Sequence, residues 1–216
     1  MGARVPETGE RPVVLTAPSL AALFDSVVFR TGAYAAYQKL AALSPGETVH
    51  RGEREGEALT LESDGLVAFG LGTAPFDDEG IPSRRLAVVR DGQVAARWAT
   101  QQYAEYLGME ATGAFANTRV ACGARPRAEL LADGGVLEVV AFSAFDPDSV
   151  TGDFGAEVRL GYLHGPGGTV PVKGGSVSGN VYEALARAWY SKEEATHEAY
   201  VGPAAVRLEG LSVSGA

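Results

Sequence analysis

Three histidines (His50, His164, His197), one cysteine (Cys122) and the acidic run Asp77-Asp78-Glu79 are the groups in this 216-residue sequence that could carry metal, nucleophilic or acid-base chemistry. A catalytic zinc needs three ligands and an open position for water. The histidines are far apart in sequence, none has a second histidine at helical spacing, and His197-Glu198-Ala199-Tyr200 lacks the partner that a zinc helix requires. They read as surface or loop residues. A single cysteine excludes an internal disulfide framework and any multi-cysteine cluster, so Cys122 reads as a small buried apolar residue in a reducing compartment. Asp77, Asp78 and Glu79 could hold a hard cation or act as an acid-base pair, but adjacent carboxylates in a glycine-flanked loop are ordinarily solvated or capping. Ser176 and Ser178 lie among glycines without a Gly-x-Ser-x-Gly elbow. Gly165 to Gly168 would cradle a phosphate only if a helix started directly after them, and strand-forming residues follow instead.

The elements that would have to position these groups can be read from periodicity. Val13-Val14-Leu15 is a strand, and Thr16-Ala17-Pro18 supplies a hydroxyl cap and a first-turn proline. Leu20, Leu23, Phe24, Val27 and Val28 then recur at 3.6 spacing and form an apolar helical stripe. Gly32 breaks this helix, and Tyr34, Tyr37, Leu40 and Ala41 continue as a second one that stops at Ser44-Pro45-Gly46. Leu86 to Val89 and Val94 to Trp98 flank Asp91-Gly92, a pair suited to the positive φ angles of a tight hairpin. A short helix carries Tyr103, Tyr106 and Leu107 and ends at Gly108. Strands are expected over Val136 to Phe142, Ala156 to Leu163, Thr169 to Val172 and Val206 to Val213. Asn180 and Glu183 form a capping box for a helix from Val181 to Tyr190. Hairpin-linked strands imply an α+β class, with a mostly antiparallel sheet or barrel-like core and flanking helices, in a single domain over residues 1–216.

Composition limits the partners. With 46% apolar residues the chain can bury roughly 70% of its unfolded surface. No apolar run approaches the ~20 residues of a membrane span, and residues 1–11 carry no signal-peptide pattern, so a soluble cytoplasmic protein is expected. Asp and Glu outnumber Lys and Arg 27 to 18, giving a net charge of −9 with no basic cluster, which argues against direct nucleic-acid binding. The mixed-sign stretch from His50 to Glu57 reads as a solvated loop.

Three segments carry a family resemblance. Gly70-Leu71-Gly72-Thr73-Ala74-Pro75-Phe76-Asp77-Asp78-Glu79-Gly80-Ile81-Pro82-Ser83-Arg84-Arg85, leading to Asp91-Gly92, is similar to the "PFD-EG...R" loop and "DG" hairpin of PmbA-type proteins. Val170-Pro171-Val172-Lys173-Gly174-Gly175-Ser176-Val177-Ser178-Gly179-Asn180 resembles the "PVKG...GN" strand and turn, and Leu208-Glu209-Gly210-Leu211-Ser212-Val213-Ser214-Gly215 the closing "GLTVAG". In this order and spacing they resemble the C-terminal domain of the TldD/PmbA family, in its TldE-like branch. The usual N-terminal domain of comparable size is expected to be absent.

The resemblance implies further that TldD-type peptidases hold zinc on a helical His-Glu-x-x-x-His motif with a late cysteine as third ligand. In the order strand, cap, apolar helix, those positions fall approximately on Phe24, Asp25 and Phe29. No histidine lies between Val13 and Ala41 and no cysteine follows Cys122, so a slip of one residue changes nothing. No catalytic, cofactor or metal residue is therefore assigned, and zinc is expected in a partner. The implied role is a metal-free subunit that pairs with a zinc-bearing TldD-like metallopeptidase and helps form a channel for an extended peptide substrate. A stand-alone hydrolase with an unrecognised site, or a homo-oligomeric (homodimeric) peptide-binding or structural module, are the other two readings.

Overall fold

The computed structural model describes residues 2–215. In chain order it contains β1 (Gly9–Thr16), α1 (Ala17–Thr31), α2 (Ala33–Gln38), β2 (Leu61–Asp64), β3 (Arg85–Arg90), β4 (Gln93–Val94), α3 (Gln101–Leu107), β5 (Asn117–Val120), α4 (Arg127–Leu130), β6 (Val136–Phe142), β7 (Asp153–Gly165), β8 (Gly168–Val172), β9 (Ser176–Asn180), α5 (Val181–Ala184), a 3-10 turn (Leu185–Arg187), β10 (Ala188–Tyr190), β11 (Glu194–His197), β12 (Tyr200–Pro203) and β13 (Ala205–Ser214). The class is α+β, as the hairpin pattern predicts.

Five strands close into a barrel in the order β1-β6-β7-β9-β13, and β13 returns to β1 from Gly9↔Val213 to Thr16↔Ala205. Closure removes the free edges that an open sheet would present. All these pairings are antiparallel except β1 with β6, which run parallel through Val13↔Leu137 and Leu15↔Val139. β8 branches from β7, and β10 from β13. Opposite β6, β7 serves two further neighbours because its 13 residues divide between them: Asp153 to Glu157 pair with β9 and Gly161 to Gly165 with β8.

A second sheet runs β11-β12-β5-β2-β3-β4, with β12 and β5 parallel and the rest antiparallel. Its β3–β4 hairpin turns on Asp91 (φ 51°) and Gly92 (φ 78°), the two left-handed residues of a type I′ turn. α1 lies between barrel and sheet, packing on β1, β6 and β13 on one side and β11 and β12 on the other. Leu20, Leu23, Phe24 and Val27 are fully buried, and half-buried Val28 packs at the edge of the same core.

Several local expectations need correction. Thr16 makes no capping hydrogen bond; its hydroxyl lies 3.4 Å from the carbonyls of Val139 and Val140, next to the barrel. α2 ends at Gln38 because Lys39 turns left-handed (φ 57°), short of the expected Ser44 stop. The second hairpin strand stops at Val94 rather than Trp98. The helix expected from Val181 to Tyr190 ends at Ala184, and Ala188–Tyr190 pair with β13 instead. Strand pairing with β13 wins there over local helix propensity. Asn180 does cap α5, its Oδ1 accepting from the backbone N–H of Tyr182 (3.0 Å) and Glu183 (3.4 Å). The loop from His50 to Glu57 is not free: backbone N–H groups of Arg51, Glu55, Gly56 and Glu57 donate to carbonyls of Tyr182, Ala186 and Ala188.

Candidate functional site

The side chains of α1 separate the three positions picked out on it. Phe24 is at 0% exposure and stacks on Tyr200 of β12, ring centroids 6.2 Å apart and planes 7° from parallel. Asp25 is exposed, yet the protein around its carboxyl raises its pKa, and repulsion from Asp146 adds to the shift. Phe29 meets the edge of Tyr34 at 6.1 Å. Aromatic carbons have no lone pair to give a metal, so two of the three positions cannot act as ligands.

Directly after Phe29, Arg30 lies 4.3 Å over the ring of Tyr182, with Arg51 on the same ring at 5.3 Å. The Tyr182 hydroxyl donates towards the carbonyls of Ser26 (3.3 Å) and Ser149 (3.1 Å). Burial pushes its pKa up, and the two arginines only partly offset this. Sequence reasoning missed this cluster, since Arg30, Arg51 and Tyr182 belong to separate segments joined only by the fold.

The three histidines stay apart. His50 is half-buried with a buried Nδ1 that finds no hydrogen-bond partner among the described residues, and His197 sits at the end of the edge strand β11. His164 is not the free loop residue expected. Its Nε2 lies 2.8 Å from Oε2 of Glu138, whose side chain is 5% exposed, while Arg127 binds the other carboxylate oxygen. Its Nδ1 lies 3.3 Å from the Thr169 hydroxyl. Thr169, His164 and Glu138 are thus connected like a nucleophile, base and orienting acid. The hydroxyl sits on an exposed hairpin, however, and Glu138 is engaged as the counter-charge of Arg127, so the string locks the β7–β8 hairpin to β6 and α4. Among the described residues, no three His, Cys, Asp or Glu side chains gather as a metal site would require.

Asp77 is committed to structure. Its Oδ1 accepts from Ile81 N–H (2.9 Å) and Glu79 N–H (3.0 Å), and its Oδ2 from Ala114 N–H (2.8 Å). Partial burial raises its pKa, but these backbone donors outweigh it and the net shift is downward. Asp78 is exposed, and Glu79 Oε2 accepts a 3.4 Å hydrogen bond from Gln102 N–H. The Cys122 thiol is half-buried, with its pKa raised first by burial and then by Glu194, which makes it a poor nucleophile. Ser176 and Ser178 are strand residues of β9 paired with Ser214 and Ser212, and Gly165 to Gly168 form the β7–β8 turn.

The other conspicuous group is aromatic and lies largely at the surface, with Tyr103 packed on the small buried cluster of Ala33, Ala99 and Ala104. Tyr34 and Tyr37 of α2 meet Tyr103 and Tyr106 of α3 in a chain of contacts, Tyr37–Tyr106 at 4.9 Å and Tyr34–Tyr103 at 5.3 Å. Sequence periodicity places Tyr103 and Tyr106 on one helical face. It does not show that this face meets α2 rather than the core.

A family profile described as PmbA/TldA metallopeptidase C-terminal domain matches residues 8–215. Among solved structures, a protein described as a candidate modulator of a DNA gyrase from Thermotoga maritima superposes with a TM-score of 0.86 at 22% identity, over 99% of this chain and 52% of its own. A similarly described protein from Bacteroides thetaiotaomicron gives 0.84 at 19% identity, over 100% of this chain and 49% of its own. TldE from Thermococcus kodakarensis gives 0.83 at 20% identity, over 99% and 52%. The chain spans about half the length of these structures. No curated protein matches it.

Proposed function

The chain belongs to the PmbA/TldD metallopeptidase family, matching its C-terminal domain, and we propose that it acts there as a metal-free, TldE-like subunit beside a zinc-bearing TldD-like peptidase. The observation that carries the proposal is Phe24. At the position where the family resemblance puts the first zinc ligand of the helix, this chain has a fully buried ring stacked on Tyr200. Rebuilding a metal site there would mean emptying part of the core. In this reading the partner supplies the zinc and its activated water, and this chain contributes scaffold and a wall of the channel that holds an extended peptide.

The test is coexpression with a TldD-like chain carrying His-Glu-x-x-x-His, followed by size-exclusion chromatography, zinc analysis and a peptide-cleavage assay. The expected result is co-elution, less than about 0.1 zinc per copy of this chain after dialysis, and cleavage that disappears when the partner's motif glutamate is replaced. Tightly held, near-stoichiometric zinc in this chain alone would overturn the reading, as would peptide cleavage by it unaided.

One observation gives the stand-alone hydrolase a specific form, namely the Thr169–His164–Glu138 string. On that reading His164→Ala would abolish activity. On ours it leaves cleavage by the mixture unchanged.

A further inference from the structure

Ten large apolar side chains stand exposed on the described surface, and eight of them come from α2, α3 and the 65–84 loop, among them Tyr34, Tyr37, Phe69, Leu71, Phe76 and Tyr106. A scatter of single exposed residues needs no explanation, but a concentration in one region does.

The region is built rather than loose. Asn117 is fully buried; its Oδ1 accepts from Gly72 N–H (2.8 Å), and its Nδ2 donates to the Asp64 carbonyl (2.7 Å) and the Thr73 hydroxyl (2.9 Å). Asp77 and Arg84 tie the far end to Ala114 and to the carbonyls of Ala111 and Thr112, and Glu79 joins it to α3. On this fixed loop Phe69 is fully exposed and holds a left-handed φ of 59°, a conformation that costs energy for a bulky residue. The loop therefore presents an aromatic ring to solvent at a conformational cost.

Area and charge indicate what covers it. At the ~150–250 Å² that an aromatic side chain can bury, the exposed fractions amount to on the order of 800 Å², which is one partner's share of a standard specific interface. Around them stand exposed Asp78, Glu79, Glu105 and Glu110, against Lys39, Arg84 and Arg85, the last paired with buried Asp64. Arg84 is already engaged, its guanidinium bound to two carbonyls and 3.8 Å from Glu110. A second copy would bring acid to acid. We infer that the face formed by α2, α3 and the 65–84 loop docks a different protein chain, one with an apolar patch rimmed by lysine and arginine. The inference rests on the subunit reading above and adds to it the face used and the partner's surface chemistry.

The test uses the full chain and a coexpressed TldD-like protein as the probe. Phe69→Ser combined with Tyr106→Ser should weaken the complex at least tenfold, whereas Leu160→Ser, an exposed residue of β7 outside the region, should change it less than twofold. Glu105→Lys with Glu110→Lys should slow association several-fold at low salt and have little effect near 0.5 M salt. If the complex forms and the aromatic double variant binds within twofold, the face is wrong and the pairing stands. If wild-type chains do not associate, both fall. If the chain alone sediments as a dimer that the double variant dissociates, the occupant is a second copy and the inference is overturned.

Discussion

Phe24 and Phe69 are the same residue type at opposite extremes of one molecule. Phe24 sits on a helix between two sheets, fully buried and stacked on Tyr200, whereas Phe69 stands in water on a loop pinned from beneath by Asn117. Around Phe24, apolar side chains do the work of folding, and the larger polar groups taken inside are mostly paired, Tyr182 to backbone carbonyls and Glu138 to Arg127 and His164, while the Ser26 and Tyr190 hydroxyls find no partner among the described residues. Around Phe69 the arrangement is inverted, because buried polar groups hold the frame and apolar groups face out. Hydrophobic residues that stabilise a fold are thus separable from hydrophobic residues that a fold displays. Only the second kind is free to bind something.

The contrast can be broken most sharply at Phe24. Phe24→Ala should cost roughly 3–5 kcal/mol in urea or thermal unfolding, the usual penalty for emptying a phenylalanine site in a packed core. A loss below about 1 kcal/mol, in the range of surface changes, would mean that α1 does not serve as the core element. Glu138→Ala should cost less, about 1–3 kcal/mol, since His164 loses its buried partner while half-exposed Arg127 can turn to solvent. No change in the denaturation midpoint would show that the lock on the β7–β8 hairpin is decorative.

Asp77 tests the frame beneath the exposed face. Its folded-state pKa is depressed, so the stability it contributes is present above the ordinary aspartate value of about 3.9 and is lost as pH falls through the lower, folded value. Hydrogen exchange at the Ile81 and Ala114 amides should accelerate over that acid range, beyond its intrinsic pH dependence, and Asp77→Ala should lower their protection about tenfold at neutral pH, the equivalent of one hydrogen bond of ~1.4 kcal/mol. Unchanged protection in the variant would remove Asp77 from the frame. The smallest effect belongs to Phe69→Ser with Tyr106→Ser, which should move stability by no more than about 1 kcal/mol, most of it from the contacts of Tyr106 with Tyr37 and Tyr103. A larger loss would mean that these rings are part of the fold.

Features set by neighbouring residues were legible in the sequence. Asp91-Gly92 dictates its turn by local sterics, and the stripe Leu20, Leu23, Phe24, Val27 states which face of α1 goes inward. The strands Leu61–Asp64 and Asn117–Val120 were not legible, being four residues long and rich in polar side chains whose partners lie across the second sheet. Ala188–Tyr190 continue a helix-forming run, and only pairing with β13 makes them a strand. Of the candidate site, the absence of histidine between Val13 and Ala41 could be read directly, because residue identity settles it. The environment of His164 could not, since Glu138 and Arg127 approach it only when β6, β7 and α4 assemble. Nor could the exposure of the tyrosines, which at helical spacing look like any inward-facing stripe.

The pairing of β1 with β13 has a consequence for the order of events during synthesis. Gly9–Thr16 is synthesised well before its antiparallel neighbour Ala205–Ser214, which follows nearly 200 residues later. Until then the ring stays open, and α1 has only part of the surface against which its apolar stripe closes. Such distant partners make folding slow and leave sticky intermediates waiting, so a nascent chain stalled before Ala205 should be held by chaperones and cut by proteases that the finished barrel resists.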